Sequence, residues 1–254
     1  MAKTGQASRE RVASAQRSLA ILDVLAAEPA LGTNEIARRT GATPSTASRQ
    51  LGTLVEAGLV ERVAATGQYR LGIRLVELAT TVLERLDVRT VAHPHLEALV
   101  AEVGETATLS VPAEPDAVTV DVVRSAQYVQ GASRLGRPSI AHATAAGKVM
   151  LAFAGPSPTG PLRGYTERTI TSLADLNAEL ERIRRRGWAD AYGEREPSLN
   201  AIAAPVWAND GELAGIVALQ GPIPRFGRAA AREALPALLS RTSAVSAELG
   251  SQSG

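Results

Sequence analysis

Two helix patterns separated by a single glycine, at residues 33–56, constrain this chain more than any other segment. The first helix has a cap candidate in Thr33 and an apolar face, and Gly41 is positioned for the tight turn that follows. Pro44 suits the first turn of the second helix, because its missing N–H would have no intrahelical acceptor there. The second helix carries an apolar stripe at helical spacing, formed by Ala47, Leu51, Leu54 and Val55. This order predicts a helix-turn-helix, whose second helix enters the major groove of DNA.

The start of the second helix and its opposite face carry short polar side chains and one guanidinium. Hydroxyl, amide and guanidinium groups suit hydrogen bonding to base edges and phosphates. We therefore expect DNA contacts from Thr43, Pro44, Ser45, Thr46, Ser48, Arg49 and Gln50.

A hairpin pattern follows the helix pair directly. After Gly58, two short stretches of strand-forming residues flank a glycine-bearing loop at 64–68, which predicts the β-hairpin called the wing of a winged helix. Helix pairs with a glycine turn also occur in proteins that never meet DNA, and the adjoining hairpin favours the DNA-binding interpretation. Four basic residues, two on the first helix and two on the hairpin, are candidates for phosphate contacts: Arg38, Arg39, Arg62 and Arg70.

Length and charge suggest a DNA-binding head on a separate body. A chain of 254 residues suits two domains. Residues 1–74 contain ten Lys and Arg against six Asp and Glu, a balance of +4, whereas the rest contains 17 against 20, a balance of −3. The polar N-terminus, the absence of cysteine and the lack of any apolar run of about 20 residues lead us to expect a cytoplasmic protein without membrane segments or disulfides.

Further helix patterns flank the winged helix. Residues 1–11 are expected to be disordered, and a helix at 14–28 to bury Leu19, Leu22 and Leu25. A helical pattern from Leu71 to Leu86 predicts a linker helix, which could equally pair with its copy in a dimer. The expected domains are a winged helix-turn-helix at 12–72, a linker helix at 73–87 and a second domain at 88–250.

The second half of the chain interleaves strands and helices. We expect strands at 106–111, 118–123, 128–132, 188–192, 201–207 and 213–220, and helices at 95–103, 139–154, 173–187 and 228–249. The turn residues at 209–211 predict a hairpin between the last two strands. This pattern predicts an α+β protein whose C-terminal domain is an antiparallel sheet with helices packed on it.

Several sequence motifs occur in the order and spacing of a known family. In the second half they are Pro138-Ser-Ile-Ala-His-Ala-Thr-Ala-Ala-Gly-Lys148, Glu194-Arg-Glu-Pro, Ile202-Ala-Ala-Pro-Val206 and Gly221-Pro222. Leu71-Gly72, directly after the wing, is a further motif. Over residues 12–250 the chain resembles the IclR family of bacterial transcription regulators. The resemblance implies a winged helix and a GAF-like (profilin-like) domain that binds a small organic effector. It also implies a homodimer or homotetramer on double-stranded operator DNA, as repressor or activator.

The resemblance further implies where the effector lies. It places the effector at the start of the helix that contains Ala145 and Ala146, where free backbone N–H groups and the helix dipole favour a carboxylate. The other implied positions are Tyr128, Gly131, Ala191, Ala201, Ala218 and Gln220. Because three of these are alanine, we hypothesise an effector larger or more apolar than a small oxo-acid, such as an aromatic acid.

No catalytic motif is complete in the sequence. A phosphate loop would need glycine at His142 and Ser or Thr at Val149, so we interpret Lys148 as a helix lysine held by carboxylates or carbonyls. The histidines at 93 and 95 lack a third metal ligand and are expected at the surface or in caps. His142 is expected to order the turn before its helix by hydrogen bonding. The sequence therefore predicts no enzyme, no metal and no cofactor.

Glu194 and Glu196 alternate along one segment and could work as an acid–base pair, but without a nucleophile a structural role is favoured. Two alternative functions remain open. One is a small-molecule enzyme or transporter-associated sensor with a fused interaction module. The other is a DNA-binding protein whose C-terminal domain only oligomerises, without an effector.

Overall fold

The computed structural model describes residues 4–83, 87–113, 116–127, 135–136, 138–156 and 158–252. The chain divides into two compact units, Met1–Arg85 and Leu86–Gly254. In the described parts of both units, no helix combines the length and the apolar character needed to cross a membrane.

The N-terminal unit is a helical bundle with a small hairpin. Its elements are α1 (Thr4–Ala26), α2 (Thr33–Thr40), α3 (Pro44–Glu56), β1 (Val60–Arg62), β2 (Tyr69–Leu71) and α4 (Arg74–Leu83). Its core is formed by Ile21, Leu25, Leu31, Ile36, Leu51, Leu54 and Val60. The antiparallel pairing of β1 with β2 confirms the predicted hairpin.

Two predictions for the first helix were wrong. The helix begins at Thr4, so residues 4–11 are helical rather than disordered; this stretch is polar, and hydrophobic periodicity carries no signal there. Leu19 is 61% exposed, whereas Ile21 is fully buried. Ile21 and Leu25 are four residues apart and therefore share the face that meets the other helices.

A glycine, a proline and a capping side chain define the turn and the second helix of the helix-turn-helix. Gly41 adopts φ +66° and donates its N–H to the carbonyl of Ala37, which confirms the predicted glycine turn. Pro44 lies in the first turn of α3, also as predicted, and the side chain of Thr43 caps that helix. The capping prediction for Thr33 was wrong, because Gly32 is the N-cap residue of α2 and makes no side-chain cap bond.

A close backbone approach follows the hairpin. A Cβ on Gly72 would lie 2.2 Å from the carbonyl oxygen of Gly58, so a side chain at this position would force the two segments apart. The N–H of Gly72 donates to the carbonyl of Leu59. The end of β2 is thereby held against the residues that join α3 to β1, just before α4 begins.

The C-terminal unit is built on a six-stranded antiparallel sheet. Its elements are α5 (Asp87–Val103), β3 (Thr106–Ala113), β4 (Asp116–Val123), β5 (Pro138–Ser139), α6 (Ala145–Phe153), α7 (Leu173–Arg186), β6 (Ala189–Tyr192), β7 (Leu199–Trp207), β8 (Leu213–Pro222) and α8 (Arg228–Gln252). The strand order is β5-β4-β3-β8-β7-β6, and every neighbouring pair is antiparallel. This confirms the predicted sheet with helices.

Helices pack on the sheet in two pairs. Helices α5 and α8 contact each other and the central strands, while α6 packs with α7 and contacts β4, β6, β7 and β8. The sheet residues that pack in one cluster with α6 include the small side chains of Ala189, Ala191, Ala203 and Ala218. These small side chains allow α6 to lie close to the sheet.

Two helix starts differ from the sequence predictions, and one predicted strand is not tested. Helix α5 starts at Asp87 rather than at 95 and contains Pro94 in its interior, where proline normally disfavours a helix. Helix α6 starts at Ala145 rather than at 139, because Thr144 caps it and β5 precedes it. The strand predicted at 128–132 falls outside the described residues.

Candidate nucleic-acid interface and ligand cavity

The exposed face of α3 is built on a hydroxyl-rich N-terminus. Thr43 Oγ1 accepts the backbone N–H of Thr46 and lies 3.1 Å from Ser45 Oγ, which fixes the first turn. Thr43, Pro44, Ser45, Ser48 and Arg49 are exposed and Thr46 is half-buried. Arg49 has no carboxylate partner among the described residues. A free guanidinium and three hydroxyl groups are thus presented outward by one helix.

The prediction that Gln50 lies on this exposed face was wrong. Its side chain is only 4% exposed, and Nε2 donates to the backbone carbonyl of Ser14 at 3.5 Å. Gln50 lies at the edge of the buried arc of α3, next to Ala47, and α1 covers that arc. Val55, predicted as buried, is partly exposed instead, and Leu54 carries the packing there.

The two arginines of α2 are held by one carboxylate. Arg38 Nη2 lies 2.6 Å from Glu35 Oε1, and Arg39 Nε donates to the same oxygen at 2.7 Å. Arg39 also pairs with Glu28 at 3.2 Å. Hydrogen bonds from the two guanidinium groups lower the pKa of Glu35 from 4.5 to about 2. Both arginines are therefore partly neutralised as phosphate ligands.

The hairpin presents one paired and one unpaired arginine. Arg70 pairs across the strands with Glu61. Arg62 instead donates to the carbonyl of Gly67 at 3.4 Å and lies 6.0 Å from the centroid of the Tyr69 ring. Because no described carboxylate neutralises Arg62, its positive charge remains available for a phosphate.

A cavity in the C-terminal unit lies between the start of α6 and the sheet. Six of the eight residues predicted for the effector line it: Ala145, Ala146, Ala191, Ala201, Ala218 and Gln220. Tyr128 and Gly131, the other two, lie outside the described residues. About 80 Å³ is open to the centres of water-sized molecules. One water needs about 10–15 Å³ by this measure, so the cavity has room for several waters or a small organic molecule.

Three alanines line the sheet side of this cavity, with Thr108, Thr119 and Gln220 beside them. Ala201 pairs with Ala191 on one neighbouring strand and with Gln220 on the other. Ala218 pairs with Thr108 on β3. Cross-strand neighbours lie close together on one face, so these alanines form a continuous floor bordered by an amide and a hydroxyl.

Several lining residues were missed by sequence reasoning. They are Thr108, Thr119, Ser139, Ala143, Thr144, Glu194, Arg195, Glu196, Leu199 and Asn200. One signal was available for Thr108: β3 places polar residues at 106, 108 and 110, although the strand is buried. A buried strand with hydroxyls at every second position needs partners or a ligand on that face.

The start of α6 presents two unused backbone donors. Thr144 Oγ1 accepts the N–H of Gly147 at 3.0 Å, and the carbonyl of Thr144 accepts the N–H of Lys148. Within the described structure, the N–H groups of Ala145 and Ala146 have no acceptor. Both residues line the cavity. This arrangement is suited to an anionic group, because the N-terminal end of a helix carries a partial positive charge.

A buried ion pair borders the cavity. Lys148 is 1% exposed, and its Nζ donates to Glu194 Oε1 at 2.7 Å. The interpretation of Lys148 as a lysine held by a carboxylate is thereby confirmed. Burial raises the pKa of Glu194, and the charge of Lys148 opposes that rise. The second carboxylate oxygen, Oε2, is buried without a hydrogen-bond partner among the described residues.

The histidines singled out in the sequence bind separate partners. His93 Nδ1 lies 2.7 Å from Asp121 Oδ2 on the sheet, and His95 Nε2 lies 3.0 Å from Glu248 on α8. The part of the chain that the structure describes holds no group of three or more His, Asp or Glu placed for a metal ion. His142, in the turn before α6, lies 2.9 Å from the carbonyl of Arg163, so its ring links that turn to a loop 21 residues later.

Comparisons with known proteins agree over both units. Residues 14–64 match the model of the IclR helix-turn-helix domain, and residues 80–247 match that of the bacterial transcriptional regulator IclR C-terminal domain. The HTH-type transcriptional regulator Rv1719 of Mycobacterium tuberculosis is 38% identical, over 91% of this chain and 90% of the relative. The glycerol operon regulatory protein of Streptomyces griseus is 32% identical, over 94% and 97%.

A solved structure with a bound ligand is also similar. It is an IclR homolog from Microbacterium hydrocarbonoxydans complexed with 4-hydroxybenzoate. That chain is 26% identical to this one, with a TM-score of 0.79 over 93% of this chain and 98% of the other.

Proposed function

The chain belongs to the IclR family of bacterial transcriptional regulators, and we propose that it binds a specific operator sequence under the control of a small organic effector. In this proposal residues 12–72 are the DNA-binding domain, 73–87 the linker helix and 88–250 the effector-binding domain. Such a function on chromosomal DNA would be carried out in the cytoplasm.

The DNA-binding role is assigned to the exposed start of α3 and to the hairpin. We expect Ser45, Ser48 and Arg49 to meet base edges in a major groove, because they share the exposed outward face of α3. We expect Arg62, on the hairpin, to meet a phosphate. The partly neutralised Arg38, Arg39 and Arg70 would add weaker electrostatic attraction.

The convergence of six predicted positions on one cavity is the observation that carries the effector proposal. A carboxylate would accept the free N–H groups of Ala145 and Ala146. A planar ring would lie on the alanine floor, with Thr108 and Gln220 at its edge. The 4-hydroxybenzoate found in the Microbacterium homolog supports an aromatic carboxylate.

Self-association is the third part of the proposal. Helix α4 has no buried residue, and Leu78 and Val82 are 49% and 61% exposed. These two side chains, with Leu75, form an apolar stripe along one side of the helix. A second copy of the chain would cover this stripe in a homodimer, which two copies of the dimer could extend to a homotetramer.

The test is a thermal-shift series on the purified protein. Benzoate and 4-hydroxybenzoate would be compared with glyoxylate and pyruvate. Each acid would be measured on the wild type and on the variant Ala218→Leu, whose larger side chain fills the cavity. A ligand at about 100 times its Kd stabilises the folded state by about 2.7 kcal/mol, a shift of several degrees. We expect this shift for the aromatic acids with the wild type and not with the variant.

Other outcomes have defined meanings. A shift with glyoxylate or pyruvate alone would contradict the aromatic class. No shift with any of the four acids would contradict the effector role and support the alternative, in which the C-terminal unit only oligomerises.

A further inference from the structure

Gly52 lies inside α3, a helix of 13 residues, and faces outward. Its φ is not in the left-handed region. A Cβ built on Gly52 would meet no atom within 4 Å. The backbone conformation and the packing of the N-terminal unit therefore do not require glycine here.

Three other glycines inside the described helices and strands have a visible steric reason. A Cβ on Gly147 would lie 2.6 Å from Ala141, and one on Gly221 would lie 2.6 Å from Glu105. A Cβ on Gly215 would meet Leu109 at 3.1 Å. At Gly250 a Cβ would lie at an ordinary contact distance, 3.4 Å from Asn209 Oδ1, so a methyl group is tolerated there. Between residues 14 and 250, Gly52 is thus the described helix or strand glycine with open space at the Cβ position.

An exposed glycine inside a helix destabilises the folded state relative to alanine, because it loses more backbone freedom on folding. The isolated chain therefore gains nothing from Gly52. The space left by the missing side chain has a use only when another molecule occupies it.

The position of Gly52 indicates which molecule that is. It lies three residues after Arg49 and four after Ser48, so all three are neighbours on the helix surface. This surface is opposite the arc of α3 that Ala47 and Leu51 bury in the core. Gly52 is therefore part of the face that the proposed function assigns to DNA.

We infer that Gly52 is a close-approach position in the DNA complex. One sugar–phosphate wall of the major groove passes within van der Waals distance of the α3 main chain at this residue. A side chain there holds the helix away from the groove floor, and Ser48 and Arg49 then fail to reach the base edges. This inference rests on the proposed function, since it requires that α3 enters DNA.

The experiment starts from a duplex that the wild-type protein selects out of a randomised pool. Binding of this duplex is compared for the wild type, Gly52→Ala and Gly52→Leu, together with the Tm of each protein. We expect the Tm of Gly52→Ala to equal or exceed that of the wild type. Its Kd for the selected duplex should rise by about tenfold or more, equivalent to about 1.4 kcal/mol, and Gly52→Leu should lose more.

A matched control adds the same methyl group elsewhere. Gly250→Ala changes a glycine near the end of α8 in the C-terminal unit, and its Kd should stay within about twofold of the wild-type value. A Gly52→Ala protein that binds equally well overturns the inference, as does one with a clearly lower Tm, since glycine would then serve the fold. If the wild type selects no sequence, the proposed function fails, and the inference fails with it.

Discussion

At the residue scale, the C-terminal unit depends on a charge pair that water scarcely reaches. Lys148 and Glu194 are both largely buried, and their Nζ and Oε1 atoms lie 2.7 Å apart. Transferring two charges out of water is costly, and their mutual attraction offsets this cost only while both are present. Removing one of the two charges should therefore destabilise the folded protein more than removing both.

Glu194→Gln leaves the Lys148 ammonium buried without a counter-charge, and we expect it to lower the free energy of unfolding by about 3–5 kcal/mol. The double variant Lys148→Met/Glu194→Leu removes both charges and should recover most of that loss. Urea denaturation of the three proteins measures the difference. Equal destabilisation by the single and double variants would contradict this account.

The two unpaired arginines of the DNA-binding surface should have different roles. Arg49→Ala removes a contact to base edges and should cost about 1–3 kcal/mol on the operator, with relaxed specificity at one position. Arg62→Ala removes a phosphate contact and should weaken binding to all DNA sequences by a similar factor. The slope of the logarithm of the binding constant against the logarithm of the salt concentration should become less steep by about one. Binding measured on operator and scrambled duplexes at several salt concentrations separates them. Equal losses on both duplexes for both variants would rule out the division of roles.

At the element scale, the N-caps of α6 and α7 stabilise their helices, and that of α6 also lies at the cavity. Thr144 caps α6 and Ser172 caps α7 by the same chemistry, since each side-chain oxygen accepts a backbone N–H three residues later. Only α6 presents its first turn to the cavity. The two caps therefore form a natural pair of test positions.

Thr144→Ala and Ser172→Ala should each lower the free energy of unfolding by about 1 kcal/mol. Thr144→Ala should also weaken binding of the carboxylate, because the uncapped first turn no longer holds the N–H groups of Ala145 and Ala146 in place. Calorimetric titration with the acid identified by thermal shift measures this second effect. A similar loss of affinity in Ser172→Ala would show that general destabilisation is the cause.

At the scale of the whole molecule, the exposed stripe of α4 is the feature that an isolated chain leaves unexplained. Apolar side chains that cover one side of a helix normally pack against a partner. The chain has a net charge of only +1, so overall charge repulsion opposes association weakly. A second copy of the chain is the occupant that the proposed function requires.

Val82→Lys places a charge in the stripe and should shift the protein toward the monomer. Thr80→Lys places the same charge on the opposite side of α4, three residues after Glu77, and should leave the oligomer intact. Sedimentation velocity over a range of protein concentrations measures the distribution. Unchanged sedimentation of Val82→Lys would exclude this stripe from the interface.

The sequence by itself determined the turn and the helix start of the helix-turn-helix, and the antiparallel type of the C-terminal sheet. The left-handed turn at Gly41 and the proline at the start of α3 depend on backbone limits that each residue carries wherever it occurs. Strand and helix periodicity likewise acts over a few neighbouring residues. These features were therefore predictable without any knowledge of the packing.

Only the tertiary structure decided which side chains are covered and which meet. Gln50 is polar, yet α1 covers it, and Leu19 is apolar, yet it faces outward. Glu194 reaches Lys148 across 46 residues of sequence, and Thr108 borders the cavity through its pairing with Ala218. The reason is physical: burial and side-chain contact depend on how distant segments pack together, and no short stretch of sequence contains that information.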